Sequence, residues 1–255
     1  MILALYVFII FIGLLLAQEV FRRFPKLALG VFSILSALLI LQWIKQGIRI
    51  DWFNDAKVFS VAFAVIWFSV FRMTSFGETK FAKAGIYLIL VVNMLEAITR
   101  DVLAGGTAHY LNAIAGILLI VTLRNIDSIS VTKDKFKDVV WDKMTLMWII
   151  GNTLWDWTFV YLNFVSVSAI HIAVLGAPLV IAFINKGRWL QVRTLTLGTY
   201  LFSYFFLAAK LYSHVESYFW KNETFEYAIA TASFIFMLIY VITFLRSSGM
   251  QQKGI

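Results

Sequence analysis

Long apolar runs separated by short polar breaks dominate this chain. Nine of them approach the roughly 20 apolar residues that carry an α-helix across a bilayer. They cover residues 2–18, 27–44, 56–72, 84–103, 109–123, 143–163, 168–185, 191–212 and 225–245. The runs lack the in–out alternation of a membrane β-strand. The pattern therefore predicts an all-α fold, a polytopic transmembrane helical bundle of about nine spans. No linker or low-complexity stretch interrupts it, so a single transmembrane domain over 1–255 is expected. The first run reads as a membrane helix rather than a cleaved leader. Met1 is followed at once by Ile2 and Leu3 with no basic residue, and Gln18–Phe21 is a poor cleavage sequence.

Charge orients the bundle. Of the 22 basic residues, sixteen fall in the connections after the first, third, fifth and seventh runs and in the C-terminal tail, leaving six on the other side. Basic residues accumulate in cytoplasmic loops, so the N-terminus is expected outside and the C-terminus in the cytoplasm. The longest connection, 125–142, alternates charge in VTKDKFKDVVWDK and reads as a solvated loop or a short amphipathic helix on the membrane face. The net charge of +8 is dispersed among these loops, which argues for orientation in a membrane and not for nucleic-acid binding.

Composition agrees. Hydrophobic residues make up 61% of the chain and charged residues 14%, against about 25% charged in an ordinary soluble domain. A mean hydropathy of +0.84 makes the bilayer the better solvent. The absence of cysteine excludes disulfides, thiolate metal sites and cysteine nucleophiles. His109, His171 and His214 are too far apart in sequence to suggest a zinc site, and no metal or other cofactor is expected. No HExxH, GxSxG, phosphate-binding lysine loop or HxxxxD pattern occurs. Lys210 lies too near a run's end to suggest a retinal Schiff base.

Against this background the polar residues inside the runs stand out. Asp156 lies in the sixth run with Asn152 one turn earlier and tryptophans on both sides. A carboxylate at that depth must pair, protonate or meet water. The fourth run carries Asn93, Glu96 and Arg100 on one helical face, and Glu96 has Arg100 one turn away as a candidate partner. Lys210 or Lys57 is the candidate partner for Asp156. With Asn112 and His171, these residues are expected to meet in an outward-opening polar cavity for a small molecule, an ion or a lipid-linked substrate. The plainer alternative is that the amides and acids join helices by hydrogen bonds of about 1 kcal/mol each with no ligand involved. Trp148, Trp155 and Trp157 either pack the bundle or wall an apolar pocket, whereas Trp43, Trp52 and Trp189 fall at run ends, where rings anchor in the headgroups.

Four segments carry a resemblance: WFNDAKVFSV at 52–61, NMLEAITRD at 93–101, DVVWDKMTLMWIIGNTLWDWTFVYLN at 138–163 and KGRWLQVRTLTL at 186–197. On them the chain resembles an uncharacterised family of bacterial multi-pass integral membrane proteins, a domain of unknown function. The resemblance implies a location in the bacterial cytoplasmic membrane and brings no activity with it. Three functional readings follow from the polar residues: a small carrier or flippase, an intramembrane enzyme using Asp156 or His171 as base on a lipid or lipid-linked group, or a sensor or assembly subunit docking through 125–142.

Overall fold

The computed structural model describes residues 2–46, 52–212 and 215–252. Nine α-helices run through them: α1 (Ile2–Arg23), α2 (Pro25–Gln46), α3 (Trp52–Met73), α4 (Lys80–Ala104), α5 (Thr107–Val121), α6 (Leu146–Asn163), α7 (Ser168–Ile184), α8 (Trp189–Leu211) and α9 (Glu223–Gln252). Each coincides with one apolar run. Six helical segments among the described residues are long and apolar enough to cross a membrane: α1, α2, α3, α4, α9, and the stretch Val165–Ile184 that contains α7. The apolar α5 is shorter. α6 and α8, which carry Asp156 and Arg193, are largely screened by their neighbours, α8 being almost continuously buried from Trp189 to Tyr200. α1 instead leaves Leu5, Phe8, Ile9 and Leu16 exposed, the kind of surface that lipid covers.

Helix contacts are shared widely through the bundle. α7 packs on α1, α6 and α8; α3 on α2, α4 and α8; α5 on α4, α6 and α9. Local chemistry sets the boundaries. Thr79 and Thr145 cap α4 and α6 by accepting the amides of Ala82 and Trp148. Gly105 and Gly106, with φ of 74° and 90°, make the tight α4–α5 turn, where a side chain would be strained.

The α5–α6 contact explains two of the tryptophans. Trp148 and Trp155 stand two turns apart on α6 and donate their indole N–H groups to the carbonyls of Leu119 and Asn112 on the antiparallel α5, at 3.1 and 2.9 Å. A helical carbonyl has a second lone pair for such a bond. Both rings are buried and pack the bundle, while Trp157 donates to the Ser168 carbonyl at 3.0 Å. Gly116 lets the Trp155 ring approach: a Cβ there would lie 2.8 Å from both Trp155 and Ile98. Gly116→Ala is therefore expected to destabilise the bundle by about 1–3 kcal/mol, read from the denaturation midpoint of the purified protein. An unchanged midpoint would show that α4, α5 and α6 part without strain.

Pro178 lies inside α7 and lacks the amide hydrogen that would bond to the Val174 carbonyl. The Thr196 hydroxyl of α8 reaches that carbonyl at 3.4 Å and the carbonyl of Arg193 at 3.2 Å.

The connection after α5 differs from the expected solvated loop or amphipathic helix. It forms an antiparallel hairpin of β1 (Ile129–Val131) and β2 (Val139–Trp141), pairing Ile129 with Trp141 and Val131 with Val139. β-Branched residues at both ends of the charged turn favour this pairing. In the turn, the Thr132 hydroxyl and the amides of Phe136 and Lys137 bond to Asp134, holding its carboxyl below the ordinary value. The hairpin is locked to the bundle through Asp138, which is almost wholly buried. Its carboxylate accepts Arg22 at 2.9 Å and Gln191 at 2.8 Å, with Arg188 at 3.4 Å as a further cation. Arg72 lies 4.0 Å away and donates to the carbonyls of Arg22, Phe136 and Lys137. Burial pulls the Arg188 guanidinium below its ordinary value, with Asp138 acting in the opposite direction. Residues of α1, α3, α8 and the α7–α8 connection thus converge on one acid.

Candidate functional site

Asp156 pairs with Arg193 through Oδ2 and Nη2, joining α6 to α8. The pair is almost removed from solvent, with side-chain exposures of 12% for Asp156 and 9% for Arg193. A buried acid and a buried guanidinium relieve each other's desolvation only when they meet in good geometry. Arg193 Nη1 nevertheless has no hydrogen-bond partner among the described residues.

What exposure remains opens onto a cavity of about 220 Å³ between α3, α6, α7 and α8. Its polar lining is Asn54 and Lys57 of α3, Asp156 of α6, Ser166 of the α6–α7 connection, His171 of α7, and Arg193 and the tyrosines Tyr200 and Tyr204 of α8. Phe53, Phe159, Phe164 and Phe205 form most of its aromatic wall. Because α3 begins and α6 ends at the end of the bundle away from the hairpin, the cavity extends from the Asp156–Arg193 pair toward that end.

Lys57 is held by a second ion pair. Its ammonium lies 3.0 Å from Glu96 and donates to the Asn93 carbonyl at 3.0 Å, while the Ser60 hydroxyl donates to Glu96 at 3.2 Å. Lys57 lines the cavity and Glu96 does not. His171 donates Nδ1–H to the Val167 carbonyl at 3.0 Å. Only that nitrogen can be the donor, since a carbonyl accepts, so in the neutral ring Nε2 is the acceptor. The Tyr200 ring meets the imidazole edge-on, with centroids 4.8 Å apart.

The residues singled out in the sequence thus separate. Asp156 and His171 share the cavity. Asn93 contributes a backbone carbonyl, and Glu96 stands behind Lys57. Arg100 does not pair with Glu96; its guanidinium lies over the rings of Phe53 and Phe164 at 5.4 and 5.0 Å. One turn further along α4, it has passed the level of Lys57 and reached the aromatic end of α3. Asn112 belongs to another network, in which the fully buried Asp101 accepts from Asn112 at 2.8 Å, Asn163 at 2.6 Å and His109 at 2.9 Å. That network ties α4, α5 and α6 together. Asn152 is buried between the two α5-facing tryptophans of α6, and its Oδ1 lacks a partner among the described residues. The Lys210 side chain lies outside the described residues, as does His214. Among the described residues the partner of Asp156 is therefore not Lys57 but Arg193, which the loop-charge reading counts with the α7–α8 connection. Its signal was present: Arg193 follows Trp189, Leu190 and Val192 and precedes Leu195 and Leu197, inside an apolar run.

Comparison with known proteins gives the chain a family. The model of a family of unknown function (DUF5692) matches residues 1–253, and the chain belongs to that family. No curated protein and no solved structure matches it.

Proposed function

We propose that this member of the DUF5692 family is a small carrier or flippase of the cell membrane, with the cavity between α3, α6, α7 and α8 as its solute site. The excess of basic residues at the hairpin end supports a cytoplasmic position for that end, with the cavity opening toward the outside. The observation that supports this reading is the opening of a buried acid–guanidinium pair, a lysine and a histidine onto one aromatic-walled hollow. Charged groups kept within a membrane bundle mark substrate or ion pathways, and an imidazole such as that of His171 is a group that can change protonation during a cycle. The volume is below the roughly 300–1,000 Å³ of drug-sized pockets. It holds a small solute or a headgroup, not a whole lipid.

Purified protein in proteoliposomes carrying an internal pH dye, challenged with small organic acids, amines and neutral solutes, tests the reading. Solute-dependent flux is expected, with Asp156→Asn reducing it at least about tenfold, the loss that follows from removing one partner of a charge-assisted hydrogen bond. Equal flux in wild type and Asp156→Asn would remove the cavity from the mechanism. The enzyme reading is weaker because the Asp156 carboxylate is already engaged by the Arg193 guanidinium.

A further inference from the structure

We infer that the cavity takes a monoanionic amphiphile, a single carboxylate or phosphate head on an apolar body, with Lys57 and Arg193 receiving the head. The inference rests on the cavity being the solute site and names the chemistry of its substrate.

The two ion pairs are not symmetric toward the cavity. Lys57, Arg193 and Asp156 line it, whereas Glu96 lies behind Lys57, held also by Ser60. The hollow is therefore faced by two cations and one anion. The neutral imidazole of His171 adds no charge, and its Nδ1–H is committed to the Val167 carbonyl. Glu96 balances Lys57 from behind, so the four groups carry no net charge, but the nearer lining charges are two cations to one anion, which favours an anionic head over a cationic one. Hydrogen bonding gives an independent argument. Of the Arg193 guanidinium, Nη2 serves Asp156 while Nη1 has no partner among the described residues, in a residue more than nine-tenths buried. A buried donor without an acceptor is costly, and the planar fork of arginine suits a carboxylate or phosphate. A small shift of that fork toward the hollow gives Nη1 the acceptor it lacks.

The remaining wall decides what carries the head. Beyond the charged pair, the lining toward the open end is mostly apolar, Phe53, Phe159, Phe164, Leu201 and Phe205, with Asn54, Ser166 and Tyr204 among them. These rings offer an inorganic anion nothing, but they desolvate an apolar chain. The volume accommodates the head and the first part of such a chain. The rest extends past the α6–α7 connection.

The test is a thermal-shift titration of the full chain in a neutral maltoside, with decanoate as the amphiphile. Acetate and inorganic phosphate supply charge alone, decanol supplies the chain alone, and decyltrimethylammonium reverses the charge. Decanoate is expected to stabilise the protein at concentrations at least about tenfold below each of the others. Asp156→Asn, which frees Arg193, is expected to tighten decanoate binding about tenfold, and the double variant Asp156→Asn with Arg193→Gln to abolish it. The double variant leaves no unpaired charge and guards against simple misfolding. Preference for decyltrimethylammonium or decanol overturns the substrate class while leaving the carrier reading intact. Acetate or phosphate binding as well as decanoate overturns the amphiphile. Equal decanoate affinity in wild type and the double variant overturns the assignment to Arg193.

Discussion

Asp138→Ala is expected to lower the stability of the purified protein by about 3–5 kcal/mol, the cost of removing one member of a buried charge cluster. The loss should be concentrated at the hairpin end. Arg22 and Arg188 lose the carboxylate they both face, and Gln191 loses the acceptor for its amide. Gln191 also accepts the Val139 amide at 2.7 Å, so its release loosens β2 as well. Limited proteolysis checks the location: cleavage within 129–141 should appear at protease concentrations that leave the wild type intact. Asp138→Asn should recover part of the stability, since an amide keeps one acceptor while losing the charge. A midpoint within about 0.5 kcal/mol of wild type, the usual range for an uninvolved surface change, would mean that the arginines are satisfied without Asp138.

The second large effect concerns Arg193. Arg193→Met leaves Asp156 facing the aromatic hollow without the guanidinium it pairs with, and a loss of about 3–5 kcal/mol is expected. Replacing both partners, Arg193→Met with Asp156→Leu, should return stability to within about 1–2 kcal/mol of wild type, because a buried ion pair and a packed apolar pair of similar volume are often nearly equivalent. Flux should not return. Recovered folding with lost transport assigns the pair to function, whereas recovery of both makes it a helix fastener. The double-variant cycle therefore decides between the two readings that the sequence left open for Asp156.

The outline of the bundle was legible because burial in lipid imposes length and apolarity on each helix separately. The run 27–44 became α2 with two residues added at each end, and 168–185 became α7 almost unchanged. Helix-to-helix pairing was not legible in the same way. Glu96 has a suitable cation one turn away in Arg100, yet its partner is Lys57, 39 positions earlier, because α3 presents Lys57 at the level of Glu96. Asp156 has no cation within three turns of it in its own run, and its partner arrives from α8. Spacing within one helix cannot report such contacts. The hairpin was the more readable omission: ISV and VVW flank the charged turn and carry the β-branched signature, but alternating charge drew attention away from them. Trp148 and Trp155 show the converse. Their seven-residue spacing was visible, while the carbonyls that accept from them belong to α5 and came into view only with the packing.

Pro178 leaves one rung of α7 without its own bond, and Thr196 of α8 supplies the replacement from outside. The same hydroxyl also reaches the carbonyl of Arg193, and it has a single hydrogen to give. At the level where Arg193 grips Asp156, then, α7 has already surrendered the contact that would resist bending, and one proton arbitrates between two backbones. Tilting α7 at this joint breaks no bond of its own ladder, so the bundle is most easily flexed directly beneath the hollow.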